Sequence, residues 1–444
     1  MTMSPELFIA LMFLALIIGL LMGHPVAFVL GGLAVLFGYL GGMGRMWPIL
    51  IGRTYDIVTN EIYVAIPLFI LMATLLERAG IAEGLFQALM HVFGGMPGSI
   101  GLAVVVLSVI FAATTGIMGA TVVSMSLMAM PAMLNRGYDK RLATGAVAAG
   151  GTLGILIPPS IMLVLMADQS GISVGRLFAG ALGPGLLLGL LYFGYVAILT
   201  HIKPKFGPPL SAEERDSVSG GQLVRMLLVN LIPPLVLIFG VLGSIWLGVA
   251  TPTEASAVGA ALAFVLMVAY RQFSWRALAD AIWRATRTSA MVIGVIIGAS
   301  LFTAVFLRAG GGAVVTNLVT SFDFLGRWGV FVAMMAIVLL LGFLVDWIGI
   351  ILITFPIFLP ISASLGFDPV WFVIMMAINL QASFLTPPVG YALFYLKGTV
   401  PPGVRLADIY RGVFPFVALQ VLGVIVVAMF PAIAAWLPSL IARG

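Results

Sequence analysis

The sequence has no cysteine, only three histidines and few charged side chains. The absence of cysteine excludes disulfides and thiolate metal sites. The histidines, His24, His91 and His201, share no acid or nucleophile pattern, which argues against a membrane-embedded enzyme. Charged residues fill 8% of the 444 positions, against about 25% in a soluble domain. The sequence therefore excludes a soluble protein, and its net charge of +5 is too diffuse for nucleic-acid binding.

Apolar residues are abundant instead, with 62% of the positions hydrophobic and a mean hydropathy of +1.20. A membrane-spanning helix needs roughly 20 mostly apolar residues, and such stretches recur along the chain. The first, from Leu7 to Gly23, has no basic segment before it and is predicted to be a membrane helix, not a signal peptide. The composition predicts an all-α, multi-pass membrane protein. The only long polar segment, 201–222, is predicted to be a cytoplasmic linker between two halves.

The two halves repeat one pattern of prolines and glycines. At a shift of 229 positions, Pro158-Pro159 falls on Pro387-Pro388, and Gly137-Tyr138-Asp139 falls on Gly366-Phe367-Asp368. When both termini are placed in the periplasm, most of the 21 basic residues lie on cytoplasmic segments, as the positive-inside bias requires. In that topology the repeats have opposite orientations, which is typical of many secondary transporters.

The repeats divide the chain into predicted domains. Each repeat is predicted to hold a re-entrant helical hairpin, at about 97–134 and 328–364, followed by a broken helix, at about 142–166 and 371–395. In chain order the domains are N-terminal scaffold helices (1–65), the first inverted repeat (66–200), the cytoplasmic linker (201–222), scaffold helices with an interfacial arm helix (223–287), the second inverted repeat (288–411) and a C-terminal helix (412–444).

The two broken helices carry the clearest chemistry. Each contains a Pro-Pro pair, and proline removes a backbone donor and disfavours helix for the residue before it. Unwound backbone at membrane depth survives only inside protein or around a cavity. Its carbonyls and neighbouring hydroxyls are hard oxygen ligands suited to Na⁺. The half-helix after each break directs a positive dipole at an anion. The alternative is that both breaks are structural kinks.

Polar interruptions mark the two predicted hairpin tips. Thr114 and Thr115 precede Gly116 at the first tip, where their hydroxyls either ligate an ion or substrate carboxylate or only cap a helix end. The second tip contains Asp346. An acid in the hydrocarbon region costs several kcal/mol and needs a partner, so Asp346 is a functional candidate.

Several motifs resemble those of one transporter family. Ile66-Pro67-Leu68-Phe69-Ile70 looks like the N-terminal signature of the large membrane subunit of TRAP (tripartite ATP-independent periplasmic) transporters. Segments 154–160, 251–255 and 386–390 match further family motifs, and the resemblance covers nearly the whole chain. It implies an elevator-type sodium symporter of the bacterial inner membrane. Such a symporter works with a small four-helix membrane subunit and a periplasmic solute-binding protein.

The resemblance also assigns site residues, with Na⁺ as the transported ion and no organic cofactor. We expect the organic acid to bind Thr114, Thr115, Gly116, Pro159, Ser160, Asp346, Gln381 and Pro388. We expect Na⁺ to bind at Gly119, Thr121, Gly151, Thr152, Gly154, Gly342, Gly349, Ser383 and Thr386. Many relatives carry Ser-Gly-Ser at the first tip. Here the tip is Thr114-Thr115-Gly116, which resembles a subgroup associated with oxo acids, aromatic acids or polyols.

One alternative remains open, a stand-alone proton- or sodium-coupled anion transporter or exporter of the same superfamily. Proton coupling uses intramembrane acids or histidines, and Asp346 is the one central candidate. A channel is disfavoured, because paired broken helices suit an occluded site with alternating access. No further block of four apolar helices fills 201–222, so we expect the small subunit to be a separate polypeptide.

Overall fold

The computed structural model describes residues 4–42, 47–116, 118–322, 324, 326–387 and 390–441. Within these ranges the chain forms helices joined by short connections, and no strand. The helices of the first half are α1 Pro5–Leu21, α2 Val26–Leu40, α3 Trp47–Thr59, α4 Glu61–Arg78, α5 Ile81–Val92, α6 Ser99–Thr115, α7 Met118–Asn135, α8 Lys140–Thr152, α9 Ile161–Ser170, α10 Val174–Ile202 and α11 Ala212–Asp216. Those of the second half are α12 Gly220–Trp246, α13 Pro252–Ala269, α14 Trp275–Arg308, α15 Gly311–Thr320, α16 Gly326–Leu341, α17 Trp347–Ser364, α18 Pro369–Leu385, α19 Tyr391–Lys397, α20 Leu406–Met429 and α21 Ala432–Ile441.

By length and composition, seven helices in the described ranges can cross a membrane, or eight when the bent pair α3 and α4 counts as one span. Their outward faces carry large apolar side chains such as Leu190, Phe239 and Leu247, which are 67%, 63% and 80% exposed. Apolar surface of this extent needs lipid as its solvent.

The two halves contain the same series of helices. α7 and α17 are both 18 residues long and each follows a hairpin tip. Asp139 accepts a hydrogen bond from the Arg141 N–H at the start of α8, and Asp368 accepts one from the Trp371 N–H at the start of α18, both at 2.8 Å. These matching caps fix where each broken helix begins, because a side-chain oxygen satisfies a first-turn N–H that has no partner inside the helix.

Two helical hairpins and two broken helices form the centre of the structure. α6 packs on α7 and fills the range 97–134, and α16 packs on α17 and fills 328–364. α8 and α18 are the most enclosed helices, with every residue buried over 142–152 and 370–385. A second set of helices, dominated by the pairs α4–α13 and α2–α14, packs alongside this centre.

Two predicted elements differ in the structure. The arm helix expected within 223–287 is not separate, because no proline or glycine interrupts α14 before Gly294. At 34 residues α14 measures about 51 Å, and a bilayer core is only about 30 Å thick. The C-terminal helix expected over 412–444 is instead two helices, α20 and α21. Phe430, which precedes Pro431, leaves the helical region at φ −123° and ψ 74°.

Candidate functional site

The first break separates α8 from α9. α8 ends at Thr152, a 3-10 turn covers Leu153–Ile155, and α9 starts at Ile161. The Thr152 hydroxyl donates to the Ala149 carbonyl at 2.7 Å, and the Ser160 hydroxyl donates to the Ile155 carbonyl at 2.5 Å. Because both hydroxyls already donate their protons to backbone carbonyls, only their oxygen lone pairs are available to a ligand.

The second break separates α18 from α19 and has the same chemistry. The Ser383 hydroxyl donates to the Leu380 carbonyl, and the Thr386 hydroxyl donates to the Ala382 carbonyl, both at 2.7 Å. Gly390, with φ +45°, lets the chain turn into α19. Oxygen atoms whose protons are already committed are suited to a hard cation, as the sequence predicted for Na⁺.

The two breaks touch each other through Thr152 and Gln381. The Gln381 amide nitrogen donates to the Thr152 hydroxyl oxygen at 3.2 Å across a sequence separation of 229 residues. That separation equals the repeat shift, so equivalent positions of the two repeats are in contact. Gln381 is fully buried, and its Oε1 has no hydrogen-bond partner among the described residues. A buried carbonyl oxygen of this kind costs free energy unless a cation or donor satisfies it, so it fits a cation ligand.

Each hairpin tip lies directly against its own break. A Cβ built on Gly116 would stand 2.9 Å from the Pro159 carbonyl oxygen. A Cβ built on Gly342 would stand 2.1 Å from Ser383 Oγ. These distances are shorter than van der Waals contact, so only glycine lets the first tip approach the unwound segment after α8 and the second tip approach the last turn of α18.

A cavity of about 760 Å³ brings the two tips and the two breaks together. Gly116, Gly119 and Asp346 reach it from the tips. The segments after the breaks add Ile161, Met162, Tyr391 and Tyr395. The opposite wall belongs to α2 and α14, whose lining residues are Val26, Ala27, Phe28, Gly31, Thr288, Ala290, Met291, Val292, Gly294, Val295, Ile297, Gly298 and Leu301.

Asp346 is the one acidic residue among those described as lining the cavity. Its carboxylate accepts a hydrogen bond from the Ile348 N–H at 3.3 Å and so caps the start of α17. No ion pair to Asp346 occurs among the described residues. In this part of the chain its polar neighbours are the first N–H groups of α17 and the Tyr391 and Tyr395 side chains, which interact with it electrostatically.

The comparison with known proteins decides the family. Residues 13–433 match the model of the tripartite ATP-independent periplasmic transporter, DctM component. This chain belongs to that family. The chain is 28% identical to the C4-dicarboxylate TRAP transporter large permease protein DctM of Vibrio cholerae, over 98% of each chain. It is 32% identical to the protein of the same name from Pseudomonas aeruginosa, over 86% of this chain and 87% of that one.

The fold of this DctM-family permease also matches a solved transporter. The YdaH transporter of Alcanivorax borkumensis aligns over 93% of this chain and 96% of its own with a TM-score of 0.63 at 14% identity, a likeness of fold alone. The all-α membrane fold predicted from composition is confirmed. The family is a transporter permease of multi-pass membrane type that works with a small membrane subunit and a periplasmic binding protein.

Only some of the predicted site residues line the cavity of this permease. Gly116, Gly119 and Asp346 line the cavity, whereas Thr152, Ser160, Gln381 and Ser383 are fully buried behind it. The Thr114 hydroxyl donates to the Phe111 carbonyl at 2.9 Å, near the end of α6, so only its lone pairs are left for a ligand. Of the other predicted residues, Thr121, Gly151 and Gly154 are buried. Gly342 lies against Ser383, and Gly349 lies near Leu30. Pro159 and Thr386 lie at the two breaks. Pro388 and the Thr115 side chain lie outside the described residues.

Sequence reasoning missed the aromatic part of the cavity. Trp347, Phe384, Tyr391 and Tyr395 all line it. The available signal was the spacing of Tyr391 and Tyr395, which are four residues apart directly after the second break and therefore share one helix face.

Proposed function

We propose that this permease takes up a small organic acid across the bacterial inner membrane in symport with Na⁺. It receives the acid from a periplasmic solute-binding protein and works with a small four-helix membrane subunit encoded as a separate chain. One observation supports this function most strongly. Both hairpin tips and both segments that follow the breaks border a single cavity, where a solute can be held between the two repeats.

The transport step is an elevator movement of the hairpins and broken helices along α2 and α14. The two sides of the cavity come from these two sets of helices, so sliding one set past the other carries the site across the membrane. With both termini in the periplasm, His24 between α1 and α2 is cytoplasmic, and it lies among the cavity residues. The cavity then opens to the cytoplasm, which is the release state of an uptake cycle.

Sodium coupling rests on the oxygen atoms behind the tips. Thr152, Ser383 and Thr386 present hydroxyl lone pairs, and Gln381 presents an amide oxygen, all next to unwound backbone. Neutral oxygens suit a hard monovalent cation, whereas a proton relay needs titratable groups. Bound Na⁺ would also offset the negative charge of the organic acid.

Uptake into proteoliposomes with imposed ion gradients tests the proposal. The permease, the small subunit and the loaded binding protein together should accumulate solute when Na⁺ is high outside. Thr386→Ala should raise the Na⁺ concentration for half-maximal uptake about tenfold, or about 1.4 kcal/mol. Thr386→Ser, which keeps the hydroxyl, should not. Saturable uptake by this chain without the binding protein would overturn the tripartite assignment.

The second candidate is a stand-alone proton-coupled transporter or exporter, favoured by the single titratable carboxylate of Asp346 in the cavity. In the sodium mechanism, Asp346→Asn slows transport but leaves its dependence on Na⁺. If a proton gradient alone drives full accumulation, and Asp346→Asn removes that ability, the proton-coupled candidate replaces the one proposed here.

A further inference from the structure

The lining of the cavity limits which acid this permease can carry. We infer that the substrate is a monocarboxylate with an apolar, ring-bearing body, and that C4-dicarboxylates are poor substrates. This inference rests on the proposed function, because it treats the cavity at the two tips as the substrate site.

Charge gives the first argument. None of the lining residues that the structure describes is lysine or arginine, and Asp346 adds a negative charge. Three positions next to these lining residues in the sequence lie outside the described ranges, and they are Ile117, Pro388 and Val389. None of the three is basic. The described lining contains one histidine, His24, which lies on the α1–α2 turn and not at either tip.

Backbone donors give the second argument. The N-terminus of α17 is already capped by the Asp346 carboxylate, and α19 has only seven residues. At the start of α9 the Ser160 side chain makes no capping hydrogen bond, because it is bonded to the Ile155 carbonyl instead. Ile161 and Met162, the first residues of α9, line the cavity. This arrangement can hold one carboxylate.

Among the lining residues that the structure describes, a second carboxylate would find neither a lysine or arginine side chain nor a second helix N-terminus free to bind it. It would also lie in the same low-dielectric space as Asp346, where like charges repel more strongly than in water. An unpaired buried charge is expensive, so a dicarboxylate is disfavoured on both counts.

Aromatic rings give the third argument, because they define the body of the substrate. The Phe384 and Tyr391 rings meet edge to face, with centroids 5.9 Å apart. The Tyr395 ring covers the first tip, since a Cβ built on Gly119 would stand 3.0 Å from its Cζ atom. With Trp347 these rings form much of the wall that moves with the tips. Rings arranged in this way favour a flat apolar group by offset or edge-to-face contact.

Thermal stability of the purified permease, with its small subunit, measures binding without the binding protein. Phenylacetate should raise the melting temperature in NaCl but not in choline chloride, and succinate should need at least about ten times the concentration. Tyr395→Ala should weaken the phenylacetate effect about tenfold or more, and Tyr395→Phe should preserve it. Phe394→Ala is the matched control, because Phe394 is 60% exposed on the same helix and does not line the cavity.

The possible outcomes separate the inference from the function on which it rests. Na⁺-dependent stabilisation by succinate at lower concentration than phenylacetate overturns the monocarboxylate inference and leaves sodium symport intact. A stronger effect of a zwitterion such as glycine betaine, lost in Asp346→Asn, also overturns it, because Asp346 would then pair with a cationic substrate. If no acid stabilises the protein in a Na⁺-dependent way, both the inference and the proposed function fail.

Discussion

At the scale of single residues, the site depends on glycines that leave room for the neighbouring chain. Gly342 lies so close to Ser383 that a methyl group has no space, and Gly116 lies close to the backbone of Pro159. The neighbour of Gly342 is a small side chain that can be removed, whereas the neighbour of Gly116 is backbone that cannot. The second tip therefore allows a test by paired substitution.

We predict that Gly342→Ala lowers the melting temperature and abolishes most uptake, because its new Cβ would stand 2.1 Å from Ser383 Oγ and 2.4 Å from Ser383 Cβ. Overpacking of this kind costs about 1–3 kcal/mol. Adding Ser383→Gly should restore much of the melting temperature, since it removes both atoms. Adding Ser383→Ala should not, since the Cβ remains. Equal rescue by both second substitutions would contradict the steric explanation.

The sequence predicted the positions of the site residues better than it predicted the role of each residue. Asp346 was identified because an acid is costly at membrane depth, and it does line the cavity. Thr114 was ambiguous, because a hydroxyl beside a helix end serves equally well as a cap or a ligand, and its bond to the Phe111 carbonyl leaves both roles open. Gln381 was predicted to bind substrate, and its contact with Thr152 is a tertiary contact that no local pattern encodes.

At the scale of elements, the two broken helices begin with equivalent aspartate caps. Their breaks could be predicted because Pro-Pro acts locally on the backbone. The break between α20 and α21 was missed, because Pro431 lies in an otherwise continuous apolar run and a single proline is often tolerated in a membrane helix. The continuity of α14 was missed because the arginines and tryptophans at its start suggested a separate helix at the membrane surface.

We predict that Asp139→Ala and Asp368→Ala each destabilise the protein by about 1 kcal/mol, the usual cost of removing an N-cap. Asp139→Asn and Asp368→Asn should retain most of the stability, because asparagine caps nearly as well. Differential scanning fluorimetry of the four variants measures the effect. A loss in the asparagine variants equal to that in the alanine variants would mean that charge, and not the cap, provides the stabilisation.

At the scale of the whole molecule, hydrogen bonds join the two sets of helices at the end opposite His24. Asp168, near the end of α9, accepts from the Asn60 amide at 2.7 Å and from the Tyr63 hydroxyl at 2.5 Å. Asn60 caps the start of α4, and Tyr63 lies in its first turn. In the proposed elevator cycle, these bonds must break each time the site moves outward.

We predict that a covalent link between positions 60 and 168 stops transport. The natural chain has no cysteine, so Asn60→Cys with Asp168→Cys can be joined by a short, reducible bifunctional thiol reagent. Uptake should fall to background on cross-linking and return on reduction. The pair Glu61→Cys and Thr253→Cys is the control, because the Thr253 hydroxyl bonds the Glu61 carbonyl inside one helix set. Normal uptake with positions 60 and 168 fully linked would exclude a sliding movement there.

The contact between Thr152 and Gln381 also bears on how the chain arose. A point on a two-fold axis is where a residue meets its own copy, so in an ancestral dimer of single repeats one side chain would have touched itself. Within one chain the two positions are free to differ, and here the Thr152 hydroxyl accepts a hydrogen bond from the Gln381 amide. A homodimer has the same side chain at both positions, so it cannot build this hydroxyl–amide pair, which leaves the Gln381 Oε1 atom without a partner among the described residues.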